Sequence, residues 1–371
     1  MRRIGLEVGR RQPAPAPKLG FVLASPSGNP LASTRISVLN MLPYLECAGF
    51  DASIVYEPAV ATETPDVTGL ASRLLRQGFA VVYFQKVGGT SVLSEVRQLS
   101  AAGVPTVHGV CDRVDAAMGR AVSRTIAVTE HLRQLYPADL HDRIRVVHDG
   151  IERPQVAKSR WSDHSGTPSR PLQLVHVTSH RPYDFATTLG QVPRWAHLTI
   201  VGPYCEADGF GDRVRNLRDA AGGEHSIGER IAHLRFHLHP RIKRVPWHPS
   251  HVYECLLEAD VAIIPIERNS GDHPSGVPAW QLKSENRLTL KMAAGLPVVA
   301  TPIPSYRSVV RDGQDAFLAD SQGDWCRALE ALRSPHERQR MGRAARESVL
   351  DRYSKESQAR SLIGALRSLV D

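Results

Sequence analysis

The 371-residue sequence lacks several features that would place it in a specialised class of protein. No stretch approaches the roughly 18 consecutive apolar residues that a membrane span needs, which excludes an integral membrane protein. Its five cysteines are odd in number and form no CxxC pair, so we expect neither a disulfide framework nor a cysteine-rich zinc site. The basic start of the chain has no apolar core of about 7–15 residues, and we expect no secretory signal. These absences together predict a cytoplasmic protein.

Signals for nucleic acids and metals are also sparse. Aromatic residues make up only 6% of the chain and no nucleic-acid-binding motif is present, so we expect no specific nucleic-acid partner. Histidines between positions 233 and 251 have metal-like spacings, but no HExxH motif, cysteine pair or acidic partner completes a set, so no metal is expected. The net charge of 46 − 38 = +8 favours an anionic substrate or a peripheral contact with an anionic membrane face, and is equally compatible with simple solubility.

What the sequence does contain is a regular alternation of short apolar strands with helical stretches, in two series. Alternation of this kind is typical of βαβ units with parallel sheets, so the predicted fold class is α/β, with two Rossmann-like doubly wound domains facing a cleft. We predict a disordered basic arm at 1–18, a first α/β domain at 19–151, a linker at 152–170, a second α/β domain at 171–352 and a final helical segment at 353–371. Strands are expected at Leu19–Ser25, Ala52–Tyr56, Ala80–Phe84, Val104–His108, Thr125–Val128, Ile144–Val147, Leu172–Thr178, Ala196–Gly202, Val261–Pro265 and Pro297–Ala300.

The most informative loop precedes the helix in KSENRLTLKMAAGLPVVATPIPSY. Ser284 is expected to cap this helix, which would leave the backbone N–H groups of Glu285, Asn286 and Arg287 open to a ligand. With Lys283 and the Arg287 side chain beside it, such a helix start suits a phosphate. The alternative is an ordinary solvated helix cap with surface charges.

Two stretches, ADVAIIPI and MAAGLPVVATPIPSY, resemble the donor-binding half of GT-B glycosyltransferases of the retaining, family-four-like group (glycosyl transferases group 1). LTIVGP, VVHDGIE and the tail RAARESVLDRYSKESQAR extend the resemblance over most of 19–371. It implies that the first domain binds the acceptor, that the second binds a nucleotide sugar, and that the last helix packs back on the first domain.

The sequence departs from this group at one point. Relatives usually carry two glutamates separated by seven residues, which grip sugar or ribose hydroxyls. The corresponding positions here are Leu282 and Leu290, so this is a variant without the usual pair, and Glu285 or Glu267 is a candidate substitute.

The resemblance also implies roles for residues in other loops. Arg181, after the first strand of the second domain, matches the arginine that neutralises the donor diphosphate, and Lys283 is expected to replace the lysine that relatives carry further on. His108, at a strand end, is expected to lie against the donor sugar, and Gly28 to let backbone approach the donor phosphate. The alternatives are a surface arginine, a core histidine and an ordinary turn. Candidate acceptor-binding residues at strand ends and helix starts are Asn29, Arg35, Lys86 and Asp112.

Together with these residues, the resemblance implies an enzyme that transfers a sugar from a nucleotide-diphosphate donor to a small-molecule or glycan acceptor, with retention of anomeric configuration. No cofactor or metal is expected, because basic side chains would neutralise the departing diphosphate. The Ala- and Arg-rich composition suits a bacterium that makes natural products or surface glycans. A two-Rossmann nucleotide-sugar epimerase and a non-catalytic nucleotide-sugar-binding protein remain alternatives.

Overall fold

The computed structural model describes residues 15–179, 191–204, 214, 218, 226–266, 268 and 276–370. Within them, ten of the twelve strands fall close to the positions that the apolar runs predict, and β9 and β12 were not predicted. The strands are β1 Lys18–Val22, β2 Asp51–Tyr56, β3 Val81–Gln85, β4 Thr106–Val110, β5 Arg124–Ala127, β6 Ile144–Val146, β7 Leu172–Val177, β8 Ala196–Gly202, β9 Ile242–Pro246, β10 Val261–Ile264, β11 Val298–Ala300 and β12 Phe317–Leu318.

These strands form two sheets of six, in the orders β2-β1-β3-β4-β5-β6 and β12-β11-β10-β7-β8-β9. All pairs with a described register run parallel, for example Leu174↔Leu198 between β7 and β8 and Ala262↔Val298 between β10 and β11. Each sheet has one point where the strand order reverses, beside the first strand of that sheet in the chain. In the first sheet this point lies between β1 and β3, and in the second it lies between β7 and β10. Doubly wound sheets bind ligands at such a switch point, beyond the carboxyl ends of the strands.

The helices follow the apolar periodicity but differ from it at their ends. They are α1 Ala32–Thr34, which continues as a π-helical turn over Arg35–Leu39, α2 Leu42–Cys47, α3 Leu70–Gln77, α4 Thr90–Ala101, α5 Ala116–Ala121, α6 Glu130–Gln134, α7 Ile227–His237, α8 Pro249–Glu258, α9 Asn286–Ala293, α10 Pro304–Arg307, α11 Gln322–Ala331, α12 Pro335–Leu350 and α13 Lys355–Val370. The sequence also predicts helices near Tyr183–Leu189 and Arg213–Ala221, and these segments lie outside the described residues, apart from Val214 and Arg218.

The position of Ser33 before a run of residues with helical apolar periodicity predicts that it caps the first helix, and this prediction was wrong. The helix begins at Ala32 after Leu31, and no side chain caps it. The Leu31 backbone N–H instead donates to Ser25 Oγ at 3.0 Å, so a residue of the preceding loop satisfies it.

Residues 152–170, which the sequence predicts to be a linker, contain no helix or strand but are held closely by hydrogen bonds. The fully buried guanidinium of Arg338 on α12 is the main anchor. It donates to the carbonyl oxygens of Leu332, Arg333, Ser162 and His164, over 2.6–2.8 Å. The backbone N–H of Lys158 also donates to the Ala294 carbonyl at 2.8 Å.

The turn after α9 packs directly against α12. Gly295 there has φ +78°, a left-handed conformation that glycine adopts without a steric cost. A Cβ on Gly342 of α12 would overlap the carbonyl oxygen of Gly295, so the AAGLPVV turn can approach the helix only because residue 342 has no side chain.

The chain divides into two compact units. The first unit contains the described residues up to Gly109, together with Met118–Arg124 and the residues from Ile363 onwards, and the second contains Val110–Ala117 and Thr125–Leu362. The domain boundaries drawn from the sequence stay a prediction. No helix within the described residues is long and apolar enough to cross a membrane.

Candidate functional site

The switch point of the second sheet is lined by polar residues at the end of β7. His176 lies on β7, is 3% exposed, and its Nδ1 is 3.1 Å from the Ile263 carbonyl on β10, so it joins the two strands where their order reverses. Ser179 follows β7, and its Oγ accepts a hydrogen bond of 2.7 Å from an Nη of Arg287. Arg287, on the first turn of α9, therefore lies at the edge where a doubly wound sheet binds its ligand.

Arg287 is surrounded by other basic groups. Burial lowers the pKa of Lys283, of Lys291 and of His176, and the positive charge of Arg287 lowers each of them further by a smaller amount. Among the residues that the structure describes, neither Arg287 nor Lys283 or Lys291 forms a salt bridge with a carboxylate. Neighbouring like charges that form no salt bridge repel one another, and a bound anion relieves that repulsion.

Lys291 is the most buried member of this group. Its side chain is fully buried, and its Nζ donates to the Arg287 carbonyl one turn earlier on α9 at 2.9 Å. Burial, reinforced by the Arg287 charge, lowers the pKa of Lys291 to about 7. Desolvation, followed by the Lys291 charge, lowers the pKa of His176 to about 3, so His176 is a neutral imidazole at physiological pH.

The segment before α9 differs from its predicted geometry. Ser284 does not cap the helix; α9 begins at Asn286 after Glu285, and its Ncap makes no side-chain hydrogen bond. Ser284 Oγ donates instead to Asp149 Oδ2 at 2.9 Å. Glu285 is 1% exposed, and its Oε1 lies 2.5 Å from Nδ1 of His148, so this carboxylate is not open to solvent.

The two leucines in place of the usual glutamates are part of the core. Leu282 is 2% exposed and packs with Val110, Leu132 and Tyr136. Leu290 is partly buried against the core that contains Leu288 and Met292. Both leucine side chains pack against apolar neighbours, and neither has a polar group that could bind a hydroxyl of a ligand.

Asp112, predicted to bind the acceptor, lies within electrostatic reach of Lys283. Its carboxylate raises the pKa of Lys283, against the larger lowering effects of burial and of Arg287. Asp112 is exposed and Lys283 is half-buried. The structure thus brings together five of the predicted site residues in the second unit: Lys283, Ser284, Glu285, Arg287 and Asp112. Asn286 adjoins them as the first residue of α9.

The switch point of the first unit is held by a hydrogen-bond network that the sequence did not reveal. Ser25 Oγ donates to Thr34 Oγ1 at 2.8 Å, and Thr34 Oγ1 donates to Gln85 Oε1 at 3.0 Å. The loop between Ser25 and Thr34 holds Gly28 and Asn29, both exposed. A Cβ at Gly28 would meet nothing within 4 Å, so packing does not require a glycine there.

Three further predicted residues of the first unit have distinct surroundings. Lys86 follows β3 with φ +60°, the only positive φ of a non-glycine residue in the described chain, and its Nζ pairs with Glu63 at 2.9 Å. Arg35 opens the π-helical turn and is half-buried. His108 is fully buried, because β4 continues to Val110 instead of ending at His108 as expected. Its contact with a donor sugar stays a prediction.

Arg181 and Glu267 lie outside the described residues. The sequence reasoning missed His148, Asp149, His176 and Lys291. His148 and Asp149 were visible only as part of the VVHDGIE motif, and nothing in their spacing indicated that both face the residues before α9. His176 and Lys291 interrupt apolar patterns with a basic residue, which was the available signal.

Comparison with known proteins supports the fold described above. Residues 190–334 match the family described as "Glycosyl transferases group 1". The match covers 145 of the 371 residues and lies within the second unit. It is also similar in structure to a glycosyltransferase from Rickettsia africae ESF-5, with 12% identity, a TM-score of 0.64 and coverage of 96% of this chain and 99% of the other.

Two other solved structures align over nearly their whole lengths. Anabaena HepE in complex with UDP and glucose has 13% identity and a TM-score of 0.63, with coverage of 95% of this chain and 99% of HepE. Sucrose-phosphate synthase from Thermosynechococcus elongatus has 13% identity and a TM-score of 0.62, with the same coverage. No curated protein sequence matches the chain significantly. The two six-stranded parallel sheets therefore form the GT-B fold, and the chain is a glycosyltransferase.

Proposed function

We propose that this glycosyltransferase uses a nucleotide-diphosphate sugar and binds the diphosphate of that donor at Arg287 and Lys283. The observation that carries the proposal is the group of basic side chains around Arg287, at the switch point of the second sheet and with no salt bridge to a carboxylate among the described residues. The similarity to HepE, which was solved with UDP, supports the same class of donor. Arg181 is the further residue that we assign to the diphosphate on the sequence resemblance.

The chemistry follows from the charge that develops as the sugar leaves. Cleavage of the bond between the sugar and the diphosphate places negative charge on a phosphate oxygen, and fixed basic groups stabilise that charge without reorganisation. The Arg287 guanidinium, held by its hydrogen bond to Ser179, and the Lys283 ammonium would supply this stabilisation. We propose that the reaction needs no metal ion or cofactor. We also propose that the acceptor attacks the same face of the sugar that the diphosphate leaves, so that configuration is retained and a phosphate oxygen of the donor accepts the acceptor proton.

For the acceptor we propose a small molecule or a glycan, recognised by Asn29, Arg35, Lys86 and Asp112, with Gly28 near the donor phosphate and His108 against the donor sugar. The αL conformation of Lys86 supports its inclusion, because strained backbone is concentrated at functional sites. We propose a bacterial natural-product or surface-glycan pathway in the cytoplasm, with peripheral contact to an anionic membrane face and no specific nucleic acid. The four cysteines within the described residues are free, which supports a reducing compartment.

Titration calorimetry with UDP, GDP and dTDP, each compared with its nucleoside, tests the donor site. Arg287→Ala and Lys283→Ala should each weaken binding of the preferred diphosphate by about 10- to 100-fold, since a hydrogen bond to a charged group contributes roughly 1.5–3 kcal/mol. Nucleoside binding should change far less. Arg160→Ala, at an exposed arginine of the same unit, is the matched control. Equal diphosphate affinity in Arg287→Ala and the parent would remove Arg287 from the site.

Turnover distinguishes the reaction classes. Release of free nucleoside diphosphate that depends on an added acceptor indicates transfer, and the anomeric configuration of the product, read by NMR, tests retention. Inversion at C2 of the sugar without an acceptor would instead indicate an epimerase. Donor binding without turnover across a broad acceptor panel would indicate a binding protein. Full activity in excess EDTA is the expected result for the metal-free mechanism.

A further inference from the structure

The turn after β6 is joined to the segment before α9 by two hydrogen bonds between side chains. His148 Nδ1 lies 2.5 Å from Glu285 Oε1, and Ser284 Oγ donates to Asp149 Oδ2 at 2.9 Å. Adjacent residues of one segment thus bind adjacent residues of the other. The two contacts form a clamp, a name used below for these four side chains.

The clamp is itself anchored to the start of α13. The His148 backbone N–H donates to Gln358 Oε1 at 2.8 Å, and the His148 ring packs edge-on against Tyr353 with centroids 5.0 Å apart. The Ile151 backbone N–H donates to the Tyr353 carbonyl at 2.8 Å. The β6 side of the clamp is therefore fixed, and it is the α9 side that the clamp holds in place.

The clamp encloses two carboxyl groups in a buried space. Asp149 is 6% exposed and Glu285 is 1% exposed. Glu285 Oε2 has no hydrogen-bond partner within the described part of the chain. Burial, followed by the charges of Glu285 and Glu152, raises the pKa of Asp149 to about 7, while the Ser284 hydrogen bond and the His148 charge lower it.

We propose that His148 and Asp149 are positioning residues of the donor site, which hold Ser284 and Glu285 so that the flanking Lys283 and Arg287 meet the diphosphate. The inference rests on the proposed function. Lys283 and Arg287 flank the two clamped residues in the chain, and fixing Ser284 and Glu285 fixes the backbone from which both basic side chains extend. Preorganised charges stabilise a departing diphosphate more than mobile ones, because they need no reorganisation during the reaction.

The buried carboxyl pair makes the clamp sensitive to pH. Below about pH 7 Asp149 is a neutral acid beside the Glu285 carboxylate, and above it the buried space contains two negative charges. Their repulsion loosens the attachment of Ser284 and Glu285, so diphosphate affinity should fall as the pH rises through 7. Asp149→Asn keeps the shape of the side chain and cannot ionise, and it should remove this dependence.

The experiment measures the Kd of UDP, with GDP and dTDP as alternative probes, between pH 6 and 9. Between pH 6 and 9, the affinity of the parent for UDP should fall at least threefold more than the affinity of Asp149→Asn falls over the same range. Glu285→Gln and His148→Ala should weaken UDP binding about 10-fold at pH 7 with a smaller effect on uridine, and His148→Gln, which can still donate to Glu285, should restore part of the affinity. Asp163→Asn, at an exposed aspartate of the same unit, is the matched control. Unchanged affinity and pH profile in all clamp variants would overturn the inference.

Hydrogen–deuterium exchange separates this inference from the proposed function. In the absence of nucleotide, backbone amides between 283 and 290 should exchange faster in Asp149→Ala, which leaves Ser284 without its acceptor, and in Glu285→Gln than in the parent or Asp163→Asn. If no nucleoside diphosphate binds the parent while this exchange accelerates, the donor proposal fails and the clamp still orders the segment. If exchange of 283–290 is the same in every variant, the positioning role is refuted whether or not UDP binds.

Discussion

Replacing Lys291 by methionine should stabilise the second unit. Lys291 is fully buried, its Nζ has a single hydrogen bond, to the Arg287 carbonyl, and burial lowers its pKa from 10.5 to about 7. At ~1.36 kcal/mol per pH unit, this difference corresponds to a cost of about 5 kcal/mol for the charged folded state. Because the unfolded chain binds the proton more tightly, the cost is present in full below pH 7 and disappears as the pH rises to about 10.5.

Methionine fills a similar volume with an unbranched apolar chain and removes both the charge and the hydrogen bond. With roughly 1 kcal/mol subtracted for that hydrogen bond, Lys291→Met should raise the free energy of unfolding by about 3 kcal/mol at pH 7. At pH 9 the charge penalty of the parent falls to about 2 kcal/mol, so the advantage of the variant should shrink to about 1 kcal/mol.

Urea unfolding followed by tryptophan fluorescence suits this measurement. All five tryptophans, at positions 161, 195, 247, 280 and 325, belong to the second unit, so the signal reports the unit that contains Lys291. Lys243→Met, at an exposed lysine of β9, is the control and should change stability by less than about 0.5 kcal/mol. A variant less stable than the parent at pH 7, or an advantage that does not shrink at pH 9, would refute the reasoning.

Three further substitutions test other features of the fold. Lys86→Gly should be more stable than Lys86→Ala by about 1 kcal/mol, because both lose the ion pair to Glu63 but only glycine adopts φ +60° without strain; equal thermal stabilities would contradict this. Gly342→Ala should lower the free energy of unfolding by more than about 2 kcal/mol, since the new Cβ overlaps the Gly295 carbonyl. Gly228→Ala, in the helix α7 of the same unit and with open space at its Cβ, should be neutral or stabilising in the same urea titration. Arg338→Met should cost more than about 3 kcal/mol, because four carbonyl oxygens lose their donor, and limited proteolysis should then cut within 152–170; resistance equal to the parent would show that other contacts hold this segment.

The parts of the fold that could be predicted from sequence are those in which apolar residues dominate the segment. The central strands β3 and β7 are buried almost throughout and consist mostly of apolar residues, so their predicted bounds fall within one or two residues of the observed ones. Strand β9 was missed because it is an edge strand, where Lys243 and Arg244 interrupt any alternation. The two-residue strand β12 is too short to leave a pattern.

For the candidate site, sequence reasoning identified the correct segment but not its internal contacts. A serine before a helical pattern normally predicts a cap, yet Ser284 donates to Asp149, a residue 135 positions away that no local rule relates to it. Glu285 looked like a ligand-binding carboxylate and is instead buried against His148. Contacts between distant segments decide these roles, and spacing within one segment carries no information about them.

The division of the chain has a consequence for the order in which the protein folds during synthesis. The residues from Ile363 onwards belong to the first unit, where Arg124 donates to the Ala365 carbonyl and to Ser368 Oγ, and Arg367 donates to the Ala48 carbonyl at 2.8 Å. The ribosome must translate the whole second unit before these residues exist. The first unit, although it begins nearer the N-terminus, therefore completes its packing last, and until then it persists as an unfinished intermediate that chaperones can bind.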